Sequence, residues 1–200
     1  MVPKKPGMIS TEYARQAYKD GLALEEKLGV NPFKFGLAAG TDNHTGLTTA
    51  EENNWFGKFP SSEPSPDRWS ENTFDFEGRV IKGWVDAAGK TRETVYDVVW
   101  GDADQSKCGA DGRIPPMGNT VDPKTATWRN TIGEPELITV WSDPDFDPKL
   151  RAFYYARVLE IPTPRWTLYD SVRFGIKMGP EVTMTLQERA YTSPIWYSPR

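Results

Sequence analysis

The sequence holds one histidine and one cysteine in 200 residues, and each shortage excludes something. Cys108 has no partner in the chain, so no internal disulfide is expected and cysteine usage leaves the compartment open. With His44 alone, a Ser-His-Asp site would have to use that residue. No phosphate-cradling loop of the G-x-x-x-x-G-K-[ST] type is present. No apolar run approaches the roughly 18 residues of a membrane span, so no membrane association is expected. The formal net charge is −4 with both signs interspersed and no basic stripe, which argues against a nucleic-acid binder. Met1 to Ser10 contains Lys4 and Lys5 but no apolar stretch, so no secretory signal is expected in this chain. Localisation and oligomeric state stay open.

What the chain has in quantity is aromatics and proline: 8 Trp, 8 Tyr, 9 Phe and 17 Pro. That load suggests a β-rich, loop-rich body rather than a helical bundle. The length suits one domain or slightly more. The spacing of Ala14, Ala17, Tyr18, Gly21, Leu22 and Leu28 predicts a helix over 10–28, with Ser10 or Thr11 as cap, Glu12 in its first turn and Gly29 as its stop. After Pro32 the apolar stretch 33–39 reads as a strand. Helix, short loop and strand make one α/β unit, with polar residues at the strand's carboxyl end, where such folds place ligands.

A second, short helix is expected over 48–54, with Glu51 and Glu52 in its first turn. The Ser- and Pro-rich stretch 58–78 carries a boundary near residue 70. Two regions follow from it, 1–70 as the β/α part and 71–200 as a β-rich C-terminal region. Beyond the boundary, strands are expected over 79–85, 94–100, 126–130, 137–141 and 152–161. A hairpin connection is expected at Asp86–Lys90. From Pro162 onward the chain reads as irregular.

The segment Gly40-Thr41-Asp42-Asn43-His44 follows the apolar stretch directly. A carboxylate and an imidazole two positions apart on a turn can supply two ligands to one metal ion. The alternative is that Asp42 caps the following turn and His44 is an ordinary hydrogen-bonded group. Glu51 and Glu52 read as a solvated first turn before they read as ligands or a general base. Asp102 to Gly109 begins like a calcium loop but has Lys107 and Arg113 where Gly and Glu are required, so it reads as a polar turn. Asp143-Pro-Asp145-Phe-Asp147-Pro reads as a turn, with Asp147 capping a helical turn begun by Pro148. Arg151, Arg157, Arg165, Arg173 and Arg189 could clamp a phosphate or carboxylate, or stack and pair within the fold.

Several of these stretches resemble a bacterial family catalogued as domain of unknown function 3604. They include Gly29 to Gly36, Gly40 to Gly46, Glu51 to Lys58, Val80 to Trp84, Gly118 to Asp122, Asp143 to Asp147, Arg151 to Trp166 and Gln187 to Tyr197. That family in turn resembles the PHP metal-dependent hydrolases, distorted β/α barrels whose closing motif is Gly, Ser or Thr, Asp, any residue, His. Gly40, Thr41, Asp42 and His44 match it position by position.

The resemblance implies a divalent metal (Zn, Mn or Fe) held in part by Asp42 and His44. It also implies hydrolysis of a phosphoester or similar electrophile. It implies a partner as well. The opening His-x-His motif and further histidines of such proteins are not in this chain, so a missing N-terminal domain or a second chain would have to supply them. A stretch between Lys58 and Val80 is shorter here than in the family. The expected fold is α+β, with a remnant β/α barrel unit (helix 10–28, strand 33–39) ahead of a mostly β C-terminal region. The expected function is a hydrolase fragment or shortened relative, weak or inactive alone, with a non-catalytic structural or interaction module as the alternative.

Overall fold

The computed structural model describes residues 12–40, 51–56, 64–66, 68, 80–101, 114 and 116–199. Within them the chain is a mixture of helix and antiparallel sheet, as an α+β chain should be. Helix α1 spans Ala14–Leu28 and ends at Gly29, whose φ of 73° lets its N–H donate to the Glu25 carbonyl. The expected end is therefore met through the left-handed cap that glycine adopts without strain. The start is later than expected. Tyr13 stands at the N-cap with no side-chain cap bond, and Glu12 precedes the helix. Ser10 and Thr11 lie outside the described residues.

The main sheet has the order β2-β1-β3-β8, all antiparallel, formed by Val80–Val85 (β1), Thr91–Tyr96 (β2), Ala152–Tyr155 (β3) and Ile195–Tyr197 (β8). The β1–β2 hairpin closes over Asp86–Lys90. The Asp86 carboxylate accepts the Ala88 and Lys90 N–H groups, and Gly89 takes a φ of 73°. This turn pulls β2 forward to 91–96 from the expected 94–100. Register on the turn decides the strand, and the apolar run Val98 to Trp100 that suggested otherwise lies beyond it.

One face of the sheet carries Ile81, Val85, Phe153 and Tyr155. Tyr18 and Leu22 of α1 pack on it, with Trp196 alongside. Tyr18 meets Phe153 and Trp196 edge-on at 5.4 and 5.5 Å between ring centroids, a geometry aromatic quadrupoles favour. Gly83 makes this possible, because a Cβ there would stand 2.4 Å from the Phe153 ring. The core thus joins a helix from before residue 70 to strands from after it.

Two short ribbons complete the sheet content: Arg157–Leu159 (β4) with Arg189–Tyr191 (β7), and Thr163–Pro164 (β5) with Thr185–Leu186 (β6). Between β5 and β6 lies helix α2, Trp166–Phe174, stopped by Gly175 at φ 64°. The C-terminal third is therefore ordered in regular elements, against the expected irregular run from Pro162. The expected strand 152–161 is divided at Ala156, where the chain passes from β3 to β4.

Three other expected elements are absent among the described residues. Residues 33–39 and 137–141 run without ladder partners, so the strand half of the expected barrel unit is not formed there. Around 126–130 there is one isolated bridge, Asp122 to Thr127, with Ala126 at φ 52°. Apolar residues alone do not make a strand when no neighbour offers its edge. Of the expected helix 48–54, the described part is a single 3₁₀ turn, Glu52–Asn54.

Candidate functional site

Asp42 and His44 lie outside the described residues, but both approaches to them are fixed. On the upstream side, the Leu37 N–H donates to Ser193 Oγ at 3.1 Å, so the segment leading to Gly40 lies against the β7–β8 connection. On the downstream side, the turn Glu52–Asn54 is tied to α2. The Glu52 carboxylate accepts the Trp166 N–H, and Arg173 donates to the Asn53 carbonyl at 3.3 Å. The solvated first turn expected for Glu52 is thus replaced by a carboxylate capping the start of another helix, where the N–H groups and dipole favour it.

Burial raises the Glu52 carboxyl above its ordinary value, opposed by the Trp166 hydrogen bond and reinforced by the nearby Glu188. A carboxyl raised in the fold contributes stability that is complete below its unfolded value and lost as pH rises through the folded one. Glu52→Gln, which keeps an acceptor for Trp166, is therefore expected to flatten the fall in stability above about pH 4.5. Urea midpoints from pH 4 to 7 check it, and an unchanged slope would refute the assignment.

Among the described residues no group of three His, Cys, Asp or Glu stands ready to hold a metal ion, and the Glu52 carboxylate is engaged at α2.

The structure brings together a polar cluster that sequence reasoning did not single out as one site. On the face of the main sheet away from α1, Lys82 is only 4% exposed. Its Nζ donates to Asp143 Oδ2 and, at 3.0 Å, to the Asp145 carbonyl. The Trp84 ring lies 5.0 Å from the same ammonium. Tyr154 donates to Asp143 Oδ2 at 2.7 Å, and Tyr96 donates to Asp145 Oδ2 at 2.9 Å. The Asp145 N–H closes an Asx turn onto Asp143 Oδ1 at 2.9 Å.

Burial acts to raise the Asp143 carboxyl, but the bonds from Lys82, Tyr154 and the Asp145 N–H outweigh it and hold the carboxyl below its ordinary range. Burial, and then the facing carboxylates, push both tyrosines far up, so they remain donors. Beside the cluster is a small open recess lined by Lys82, Trp84, Asp145, Asp147, Leu150 and Tyr154. The sequence did carry one signal, a lysine inside the apolar strand Val-Ile-Lys-Gly-Trp-Val. The expected turn is also met, with the Lys149 N–H on Asp147 Oδ1 at 2.9 Å.

A second buried pair holds α2. Arg68 donates from Nε and Nη2 to the two oxygens of Asp170 at 2.6 and 3.1 Å. Its guanidinium lies 5.1 Å from the Trp55 ring and 4.6 Å from the Trp166 ring. A forked, stacked contact of this kind suits arginine and no other cation. Both clusters tie distant parts of the chain together, Lys82 of β1 to the 143–145 loop and Arg68 to α2. The Asp102–Gly109 stretch lies outside the described residues. No helix among the described residues is long and apolar enough to cross a membrane.

The class these features define is an α+β chain in which the described segments on either side of the Gly40–His44 motif are tied to the C-terminal third. The chain belongs to the family described as protein of unknown function, DUF3604, whose model matches residues 1–79 and 77–199. No curated protein and no solved structure matches it.

Proposed function

We propose that this chain is a PHP-like metal-dependent hydrolase fragment or shortened relative, which contributes Asp42 and His44 to a site it does not complete alone. The observation that carries the proposal is the run Gly40-Thr41-Asp42-Asn43-His44 in a member of the DUF3604 family. The family model's division into two matches meeting at residues 77–79 is what a shortened interior would produce, and it falls where the stretch between Lys58 and Val80 is short. Substrates of this reading are phosphoesters or electrophiles of similar kind. The partner is an N-terminal domain or second chain bearing the missing histidines.

Calorimetric titration of the full chain with Zn²⁺ and Mn²⁺ tests this. Two donors should bind feebly, weaker than roughly 1 µM, and His44→Ala should abolish that binding. The same substitution should cost under about 1 kcal/mol in urea unfolding, because a ligand serves function more than packing. Tight binding would show a complete site within the chain. Binding that survives loss of His44 would sink the metal reading.

The second reading, a non-catalytic interaction module, is favoured by one feature. Ile138 and Val140, in the stretch expected to be a strand, are 80% and 97% exposed. Their exposure is what a surface awaiting a neighbour would show. Metal titration separates the readings, since a module needs no dependence on His44.

A further inference from the structure

Between Pro135 and Pro144 the chain reads Glu-Leu-Ile-Thr-Val-Trp-Ser-Asp, rich in the β-branched and aromatic residues that strands favour. Residues 136–143 run without a turn or a bend. Among the described residues, none of 136–142 has a backbone hydrogen bond. One side chain anchors the stretch: the Trp141 ring lies 5.0 Å from the Tyr96 ring and 6.4 Å from the Tyr154 ring. Successive side chains of an extended chain alternate, so Leu137, Thr139 and Trp141 share the anchored side and Ile138 and Val140 share the other. Their exposures of 80% and 97%, against 38% for Leu137, follow that alternation.

A row of free amide and carbonyl groups beside an exposed apolar face is the template on which an added strand pairs. Charge decides which strand. Glu134 and Glu136 stand at one end of the stretch, and Asp143, Asp145 and Asp147 at the other, with no Lys or Arg between Arg129 and Lys149. Lys82 neutralises Asp143. Glu134, Glu136, Asp145 and Asp147 are exposed. A second copy laid antiparallel would bring the glutamate end of each chain onto the aspartate end of the other. Laid parallel, it would set Glu against Glu and Asp against Asp. Like charges facing across a strand pair destabilise it, so both arrangements with a second copy are disfavoured and a strand with basic ends is favoured.

We propose that residues 136–143 are a docking edge for an extended segment of another protein, apolar at alternate positions and carrying Lys or Arg at both ends. The partner strand's backbone pairs with the free amide and carbonyl groups. Its apolar side chains cover Ile138 and Val140, and its basic ends meet Glu134 and Glu136 on one side and Asp145 and Asp147 on the other. This deepens the interaction reading above and rests on it, and it draws on no metal.

The test is calorimetry of the full chain with the synthetic peptide Lys-Lys-Val-Thr-Val-Thr-Val-Lys-Lys, against the same peptide with Glu for every Lys. The basic peptide should bind with a Kd of about 100 µM or tighter at low salt and several-fold more weakly at about 0.5 M salt, where charges at the surface are screened. The acidic peptide should not bind. The double variant Ile138→Ser with Val140→Ser should weaken binding tenfold or more, and Glu134→Gln with Glu136→Gln should reduce its salt dependence. These side chains are exposed, so circular dichroism should show both variants folded as the parent is. If the serine variant does not fold, the acidic peptide and the salt dependence decide. The proposal is overturned if the basic peptide does not bind, if the acidic peptide binds as tightly, or if the folded serine variant binds as the parent does. Sedimentation supplies the remaining outcome: a dimer of the parent that the serine variant loses would give the edge to a second copy, which overturns the basic partner while leaving the interaction reading standing.

Discussion

Asp143→Ala is expected to destabilise the chain by about 3–5 kcal/mol. The substitution leaves the Lys82 ammonium buried, in a pair whose side chains are 5% and 6% exposed. It also removes the acceptor of the Tyr154 hydroxyl and the Asx turn that shapes the 143–145 loop. Most of the loss is the desolvation of a charge with no counter-ion, not the bond itself. The double substitution Lys82→Met with Asp143→Asn, which removes both charges and keeps an acceptor for Tyr154, should therefore cost much less than Asp143→Ala. Urea unfolding of the three proteins measures the difference, and a double variant as damaged as the single one would show that the loop's shape, not charge pairing, dominates. A carboxyl held low contributes stability present above its unfolded value near pH 3.9 and lost as pH falls through its folded one. Asp143→Asn should accordingly weaken the acid limb of the stability curve.

Truncation after Glu188 is expected to lower the unfolding midpoint by about 10 °C or more, or to give insoluble protein. It deletes β7 and β8. With β8 goes Trp196, whose ring contacts Tyr18 and Phe153 at 5.5 and 5.6 Å, and β3 loses its outer neighbour. The Phe146 ring would also lose Tyr197, now 4.9 Å away. Scanning calorimetry of both chains tests this, and equal melting would mean that the tail docks only weakly in solution.

The parts of the fold that sequence foretold are those whose determinants are local. α1 shows in the spacing of Tyr18, Gly21 and Leu22 and in Gly29. The β1–β2 hairpin shows in the alternation of Ile81, Lys82, Gly83 and Trp84 and in the Asp86–Lys90 turn. The parts it hid are made by distant partners. α2 has no side-chain cap of its own, and its first N–H is met by Glu52, 114 residues earlier. Pro162, Pro164 and the aromatics around them looked irregular for that reason, although Gly175 was a stop signal in plain view. Lys82 could be placed opposite Ile81, but its burial follows from Asp143, which arrives from 61 residues away. Stretches 33–39 and 137–141 misled in the other direction, since apolar content cannot say whether an edge is available. Asp42 and His44 could be named from the sequence as candidate ligands, and the ties of the flanking segments to Ser193 and α2 could not.

The order of the main sheet sets a timetable for a chain emerging from the ribosome. β1 and β2 can close as a hairpin once residue 96 has cleared the exit, but the other side of β1 belongs to β3, at Ala152–Tyr155, and β3 in turn needs β8 at Ile195–Tyr197. For the intervening synthesis, β1 presents an open row of amide and carbonyl groups on the side β3 will take, and only α1 is at hand to cover Ile81 and Val85. That is the combination most prone to pairing with the wrong strand. The nascent protein is thus most exposed to aggregation in the middle of its translation, and slow elongation there should lower its soluble yield more than slow elongation at either end.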